Sequence, residues 1–385
     1  MNAMAMARDS NPSSAFETAK ASAPATVLVV AGLALGPAVA LGFARFSYAL
    51  LLPAMRADLH WTYAAAGFSN TANALGYLLG ALITAPIAAR IGDKRAFAIG
   101  LAVTVAAVLG SGFTGDFLVQ AGLRAIAGVA GLGVYFGGGG FGMLVAALLV
   151  PEIIRSHGWR DGWLAMGVLG LFGLAAAWPA LLRAPTLPRP LSASKGSTPP
   201  WSVRRLLPLL VSYALFGAGY IAYATFIIAW LRTDLEFGVW QVAVFWACVG
   251  GPAAVAGLAW GPILTRLRGA RGVALANAFV MLGAVLPVLG LGRAAAYASA
   301  LLFGGSFLIV PTSVTAVARS ATPPGSWTAV IALLTVGFAV GQCAGPLLSG
   351  WVSDTQSLSG GLLLSGALLA LASLIALAQR SPGRP

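Results

Sequence analysis

Arg45 interrupts an apolar run from Ala25 to Leu52 that is long enough to cross a bilayer. A guanidinium inside such a span costs at least about 2.5 kcal/mol unless it meets a partner or a water-filled cavity, so the side chain has to point into the protein. No Asp or Glu lies deep within an apolar run: Asp116, Glu152 and Asp161 sit at run ends and the others in loops or termini. An inward arginine without an acidic partner suits an anionic solute, which it can hold by charge-assisted, bidentate hydrogen bonds. The competing fate is structural: Arg45 binds backbone carbonyls, or reaches the outer surface about eight residues away near Pro53. Arg124 also lies in an apolar run and reads as structural or coupling-related ahead of direct substrate contact.

Asn70, Asn73 and Tyr77 are spaced three, four and seven apart and so form one polar stripe on a helix. Tyr220, Tyr223 and Trp230 do the same later in the chain. Such residues can line a pocket; equally, aromatic residues pack cores or anchor at interfaces, and a buried Asn joins helices by hydrogen bonding. Enzyme chemistry finds no support, because no Ser/His/Asp constellation, paired carboxylates or phosphate loop appears. Gly137, Gly139 and Gly142 satisfy Gly-x-Gly-x-x-Gly, but a dinucleotide site needs a preceding strand and a ribose-binding acid. These glycines are expected to serve close helix contact or a tight turn. His60 and His157 stand beside Trp61 and Trp159 in expected loops, and Cys248 and Cys343 lie in apolar runs. Neither pair has metal-ligand spacing, so no metal, disulfide or cofactor is expected.

The elements that must position these side chains follow from composition. Of 385 residues, 59% are hydrophobic and 9% charged, too little polar surface for a water-soluble body. At about 20 apolar residues per span plus a short loop, the chain holds roughly twelve spans. The expectation is an all-α polytopic membrane protein with helices near 25–54, 63–88, 96–114, 117–131, 133–151, 162–182, 205–231, 239–264, 272–291, 294–317, 327–351 and 359–379. The first apolar run is too long for the hydrophobic region of a signal peptide. With both termini inside, 16 of the 23 Lys and Arg fall on the cytoplasmic side and five outside. This positive-inside bias accounts for the net charge of +13 without nucleic acid.

Residues 1–24 read as a disordered cytoplasmic lead, 25–182 as one six-helix bundle, 183–204 as a Pro- and Ser-bearing cytoplasmic linker, 205–380 as a second bundle and 381–385 as a cytoplasmic tail. Arg56-Ala57-Asp58-Leu59 and Arg232-Thr233-Asp234-Leu235 lie 176 residues apart, and Pro86-Ile87 with Arg90 recurs as Pro262-Ile263 with Arg266 at the same offset. Two matches at one offset indicate parallel repeats. Further on, Phe136 aligns with Phe338 and Glu152 with Asp354 at an offset of 202, which implies that the first half lacks about 26 residues between its third and fifth helices. Two short helices are therefore expected to meet at a Gly-rich turn within Gly131 to Gly140, leaving a gap between the halves at the cytoplasmic side.

Twelve expected helices in two repeats, a polar central loop and a short basic loop after the second helix together resemble the major facilitator superfamily of secondary transporters. The segment Gly42-Phe43-Ala44-Arg45-Phe46-Ser47-Tyr48, then Leu51-Leu52-Pro53 and Gly76-Tyr77-Leu78-Leu79-Gly80, resembles its bacterial YbfB/YjiJ-type branch. Arg90, Gly92 and Lys94 match the superfamily's loop signature, whose aspartate position is here Ala89 and whose first glycine is Ala85. Arg124 and Gly128 match a fourth-helix feature that the resemblance links to proton coupling in antiporters. The resemblance implies a multi-pass protein of the bacterial inner membrane, monomeric, not an enzyme, that moves a small organic solute by alternating access. An anion is slightly favoured as cargo, proton coupling is left open, and the remaining partner is the lipid bilayer. The expected substrate contacts are Arg45, Tyr48, Asn70, Asn73, Tyr77, Tyr220 and Tyr223; Arg124, Arg90, Lys94 and Arg95 are the expected coupling or gating residues. The shortened fourth and fifth helices keep a second reading in play, a transport-incompetent sensor or assembly partner on the same fold.

Overall fold

A computed structural model of the chain describes residues 23–131, 138–184, 202–267 and 269–379. Among these residues eleven helical segments are long and apolar enough to cross a bilayer, and a twelfth, Phe117–Gly131, is shorter. The first span is α1 (Ala23–Pro37), a π-helical stretch (Ala38–Phe46) and α2 (Ser47–Leu59) in one continuous rod. Spans two to six are α3 (Tyr63–Ile91), α4 (Asp93–Gly112), α5 (Phe117–Gly131), α6 (Gly139–His157) and α7 (Trp159–Arg183). The second half runs through α8 (Val203–Thr233), α9 (Val239–Arg266), α10 (Arg271–Val285), α11 (Gly292–Gly304) with α12 (Ile309–Ala321), α13 (Trp327–Thr355) and α14 (Leu358–Leu377).

Every span has an apolar sequence, so its backbone polar groups have to be satisfied along the helix itself. Local signals then set the ends. Thr62 Oγ1 accepts from the Ala65 amide at 3.1 Å to start α3, and Ser357 Oγ accepts from the Gly360 amide at 3.0 Å to start α14. Left-handed backbone at His60 (φ 53°) stops α2.

Several boundaries depart from the sequence expectation for one reason. Pro53 and Pro151 are inside helices, with α2 continuing to Leu59 and α6 to His157. A membrane helix tolerates proline because neighbouring elements satisfy the freed carbonyl. α6 is described from Gly139, and Glu152 lies within it, paired with Arg155. The expected helix 272–291 instead breaks at Val285 into a 3-10 turn bearing Pro287, and 294–317 divides into α11 and α12. The turn expected between Gly131 and Gly140 falls largely on 132–137, outside the described residues.

The two halves meet along α3 with α13, and along α6 with α9. On the first seam the Asp354 carboxylate accepts the Tyr63 and Ala64 amides, each at 2.8 Å, and Thr71 Oγ1 donates to the Cys343 carbonyl at 2.7 Å. A Cβ on Gly67 would strike the Pro346 carbonyl, so only glycine lets the backbones approach this closely. All these contacts lie in the part of α3 nearest Tyr63. Toward Arg90 the helix turns exposed side chains outward, including Leu82 and Ile87. On the second seam Gly140, at the start of α6, abuts Ala253 and Ala254 in the middle of α9. From there α9 runs on to Arg266, about 18 Å at 1.5 Å per residue. Leu258 on that stretch is 83% exposed, and no described residue comes within 4 Å of a Cβ placed on Gly257 or Gly261. Among the described residues the halves are therefore in contact toward Tyr63 and Asp354, and meet over less of their length toward the face that carries Arg90, Lys94, Arg183, Arg266 and Arg319. That second side is called the basic face below.

Candidate substrate cavity between the two halves

The position of Arg45 comes from the irregular middle of the first span. Nine residues, Ala38–Phe46, adopt the wide π form, and Ser47 Oγ fills the i−5 position by donating to the Gly42 carbonyl at 2.9 Å. Such turns are rare and are frequently found at functional sites. The stretch lies where the first span crosses α6 at glycine on glycine: a Cβ on Gly42 would enter the Gly142 backbone, and one on Gly142 the Ala38 carbonyl. Of the two roles expected for Gly142, close helix contact or a tight turn, it has the first here.

Arg45 is 6% exposed, so its guanidinium is enclosed and does not reach a surface. Its Nε and Nη2 meet no hydrogen-bond acceptor among the described residues. The nearest π face is Tyr77, whose ring centroid is 5.5 Å from Cζ. A buried donor left unmade costs about 1–3 kcal/mol, more when charged.

Arg45 faces a small cavity walled by both halves. Leu41, Phe46 and Tyr77 come from the first half; Phe216 and Tyr220 of α8, Phe307, Leu308 and Pro311, and Phe338 and Gln342 of α13 come from the second. It offers about 20 Å³, the room of a single water or little more. The aromatic wall is ordered: Phe216 and Tyr220 stack at 4.8 Å and 13°, Tyr220 and Phe338 at 5.8 Å and 8°, and Tyr220 and Phe307 at 6.0 Å and 17°. Gln342 donates from Nε2 to Tyr220 Oη, and its Oε1 is buried without a partner.

The remaining expected residues form a second, framework cluster. Arg124 on α5 donates from Nη1 to the Ala44 carbonyl and from Nη2 to Asn70 Oδ1 at 2.7 Å. Its Cζ stands 4.3 Å from the Tyr48 ring centroid and 5.8 Å from that of Trp163, so the charge is spread over two π faces. Asn73 Nδ2 donates to the Arg124 carbonyl at 2.9 Å, and Tyr48 Oη to the Ala66 carbonyl at 2.8 Å. Asn70 also crosses the seam, donating from Nδ2 to Thr225 Oγ1 at 2.6 Å. Tyr223 bonds to Ser299 Oγ at 2.6 Å within the second half. Arg45, Tyr77 and Tyr220 thus share the cavity, whereas Tyr48, Asn70, Asn73 and Tyr223 do not line it. On the basic face Lys94 Nζ donates to the Leu182 carbonyl at 3.0 Å, in the last turn of α7, while Arg90 and Arg95 are exposed.

Sequence reasoning missed Gln342, Phe216, Phe307 and Phe338. The Gln342 signal was present, an amide in the middle of an apolar run, the same signal that singled out Asn70. The phenylalanines carried none, since their type is common to all spans.

The model for the family described as "Uncharacterised MFS-type transporter YbfB" matches residues 37–134 and 131–377. A curated relative, the uncharacterized MFS-type transporter YceJ of Bacillus subtilis (strain 168), is 25% identical over 236 residues, which is 54% of this chain and 60% of that protein. Among solved structures, a point mutant of the nucleoside transporter NupG aligns with TM-score 0.70 at 13% identity, over 90% of this chain and 98% of NupG. A bacterial homolog of the human lysosomal transporter Spinster, inward-facing and occupied, aligns at 0.68 and 15% identity over 93% and 97% of the two chains. The human organic anion transporter MFSD10 aligns at 0.62 and 16% over 92% and 100%. At such identities these likenesses concern the fold alone. With its own model spanning nearly all the described residues, the chain belongs to the YbfB-type family of major facilitator superfamily transporters.

Proposed function

We propose that the protein is a secondary transporter of a small organic anion, bound at Arg45 and exposed alternately to the two sides by rocking of the halves. One observation carries the reading: an enclosed arginine, 6% exposed, presents unpartnered N–H groups to a cavity whose walls come from both halves. Among the described residues the two ion pairs are Arg155 with Glu152 and Arg160 with Asp58, both remote from it, so no internal carboxylate takes the anion's place. A cavity the size of a water admits a solute only if its walls part, and the walls belong to separate bundles. The seam at Asp354 supports closure on one side, and the shorter contact of α6 with α9 supports opening on the basic face. By the positive-inside rule the basic face is cytoplasmic, with both termini there, in a bacterial inner membrane.

A second reading, a sensor or assembly partner that does not transport, is favoured by one feature of the sequence, the apparent lack of about 26 residues between the third and fifth helices of the first half. Counterflow in proteoliposomes, with a panel of anionic, neutral and cationic solutes, separates the two. Transport predicts that at least one anion accumulates and that Arg45→Gln abolishes it. Arg45→Lys is expected to be impaired at least about tenfold, because ammonium keeps the charge without the planar fork. Accumulation of no solute at all by folded protein decides for the sensor.

A further inference from the structure

The free groups around the cavity are specific enough to name a class of cargo. Nε and Nη2 of an arginine lie on one edge of the guanidinium, the edge that meets both oxygens of a single carboxylate. Both atoms of that edge are without acceptors in Arg45, and no hydrogen bond within the described residues occupies the rest of its guanidinium. Arg124, the other interior cation, is already engaged by the Ala44 carbonyl and Asn70 Oδ1, so the cavity has one charge to offer. A second carboxylate would be buried against phenylalanine rings without compensation, which is strongly unfavourable. Opposite the arginine, Phe216, Tyr220, Phe307 and Phe338 present planes within 17° of parallel to Tyr220. Such planes accept a flat ring in offset stacking better than a puckered or branched body. On the wall from the second half, Gln342 Oε1 is buried and unpartnered, on a side chain that is 0% exposed. A hydroxyl suits it in either orientation of the amide, because a hydroxyl both donates and accepts.

We infer that the cargo is an aromatic monocarboxylate bearing a hydroxyl, its carboxylate on the Nε–Nη2 edge of Arg45, its ring among the parallel aromatic side chains and its hydroxyl at Gln342. The inference rests on the transport reading above and narrows it. Sugars and nucleosides fit poorly, since they carry more hydrogen-bonding groups than Arg45, Tyr77, Tyr220 and Gln342 can meet.

The test uses purified full-length protein in proteoliposomes, with counterflow of labelled 4-hydroxybenzoate, uridine and choline, the first competed by unlabelled benzoate, cyclohexanecarboxylate, lactate and succinate. A thermal-shift measurement in detergent with the same compounds gives an independent readout of binding. The expected order is 4-hydroxybenzoate first and benzoate about tenfold weaker for one lost hydrogen bond. Cyclohexanecarboxylate should be weaker still, and lactate and succinate without effect. Gln342→Leu should erase the preference for 4-hydroxybenzoate over benzoate while benzoate still binds, a change that mere loss of folding does not produce. Competition by lactate or succinate equal to that by 4-hydroxybenzoate overturns the aromatic class and leaves anion transport standing. Counterflow of labelled uridine or choline without any of 4-hydroxybenzoate overturns the anionic class while leaving transport. If no labelled compound of the panel exchanges and none shifts the melting temperature, the transport reading fails and the cargo class falls with it.

Discussion

Two interior arginines of the same chemistry have opposite surroundings. Arg124 is tied by its guanidinium to the first span and to Asn70, and by its carbonyl to Asn73. It welds α5 to its neighbours. Arg45 has a π face on one side and open donors on the other. Arg124→Gln is therefore expected to lower stability by about 2 kcal/mol, the scale of hydrogen bonds to a charged group, read as a lower melting temperature in detergent. Arg45→Gln should leave the melting temperature equal or raise it, because it removes an uncompensated buried charge. Melting curves of the two variants side by side check this, and a larger loss for Arg45 would mean that it belongs to the framework. The sequence allowed both residues to be placed inside the protein, since burying a guanidinium in a span admits little else. Which of them would be free depended on where Ala44, Asn70 and Tyr48 arrive in space. The Asn70, Asn73 and Tyr77 stripe shows the same limit. The helical spacing holds, yet α5 covers its first two members and leaves Tyr77 to the cavity.

At the scale of elements, twelve apolar runs were legible because a span needs an apolar stretch bounded by charge, glycine or proline. Proline and charge misled only about where helices stop. The π-helical turn left no trace in the pattern, because Ala38–Phe46 is as apolar as any α-helical run; its cause is the crossing with α6 at Gly42 and Gly142. Gly142→Val should break that crossing, since its Cβ would enter the Ala38 carbonyl. The expected outcome is loss of a monodisperse peak in size-exclusion chromatography. The α3–α13 seam gives a milder prediction. Asp354 satisfies two of the amides left open at the start of α3, and its charge faces the positive end of that helix. Asp354→Asn keeps one acceptor and loses the charge, a change of about 1 kcal/mol or a factor of about five in the equilibrium between closed and open. Spin labels at His60 and Gln356, one in each half on the sealed face, should show a larger long-distance population by double electron–electron resonance. An unchanged distance distribution would remove Asp354 from the seal.

For the whole molecule, the repeat relation leads to an asymmetry. Asp354 aligns with Glu152 by sequence, yet Asp354 binds the opposite half while Glu152 is spent on Arg155 of its own helix. The two seams are thus unequal: one is pinned by a carboxylate and backbone amides, the other is glycine packing between α6 and α9 that ends partway along α9. The uncompensated guanidinium of Arg45 has an electrical meaning for such a carrier. On the transport reading proposed above, the empty carrier would take a bare positive charge with it on each passage, and a bound monoanion would cancel that charge. Moving one elementary charge through 100 mV changes the energy by about 2.3 kcal/mol, so any part of the field that the cavity samples acts on the unloaded return and spares the loaded step. Exchange of labelled for unlabelled anion should accordingly outrun net efflux and be indifferent to membrane potential, while net efflux should change several-fold when a potassium diffusion potential of about 100 mV is imposed. Equal voltage sensitivity of the two fluxes would mean that the charge at Arg45 is balanced in the empty carrier as well.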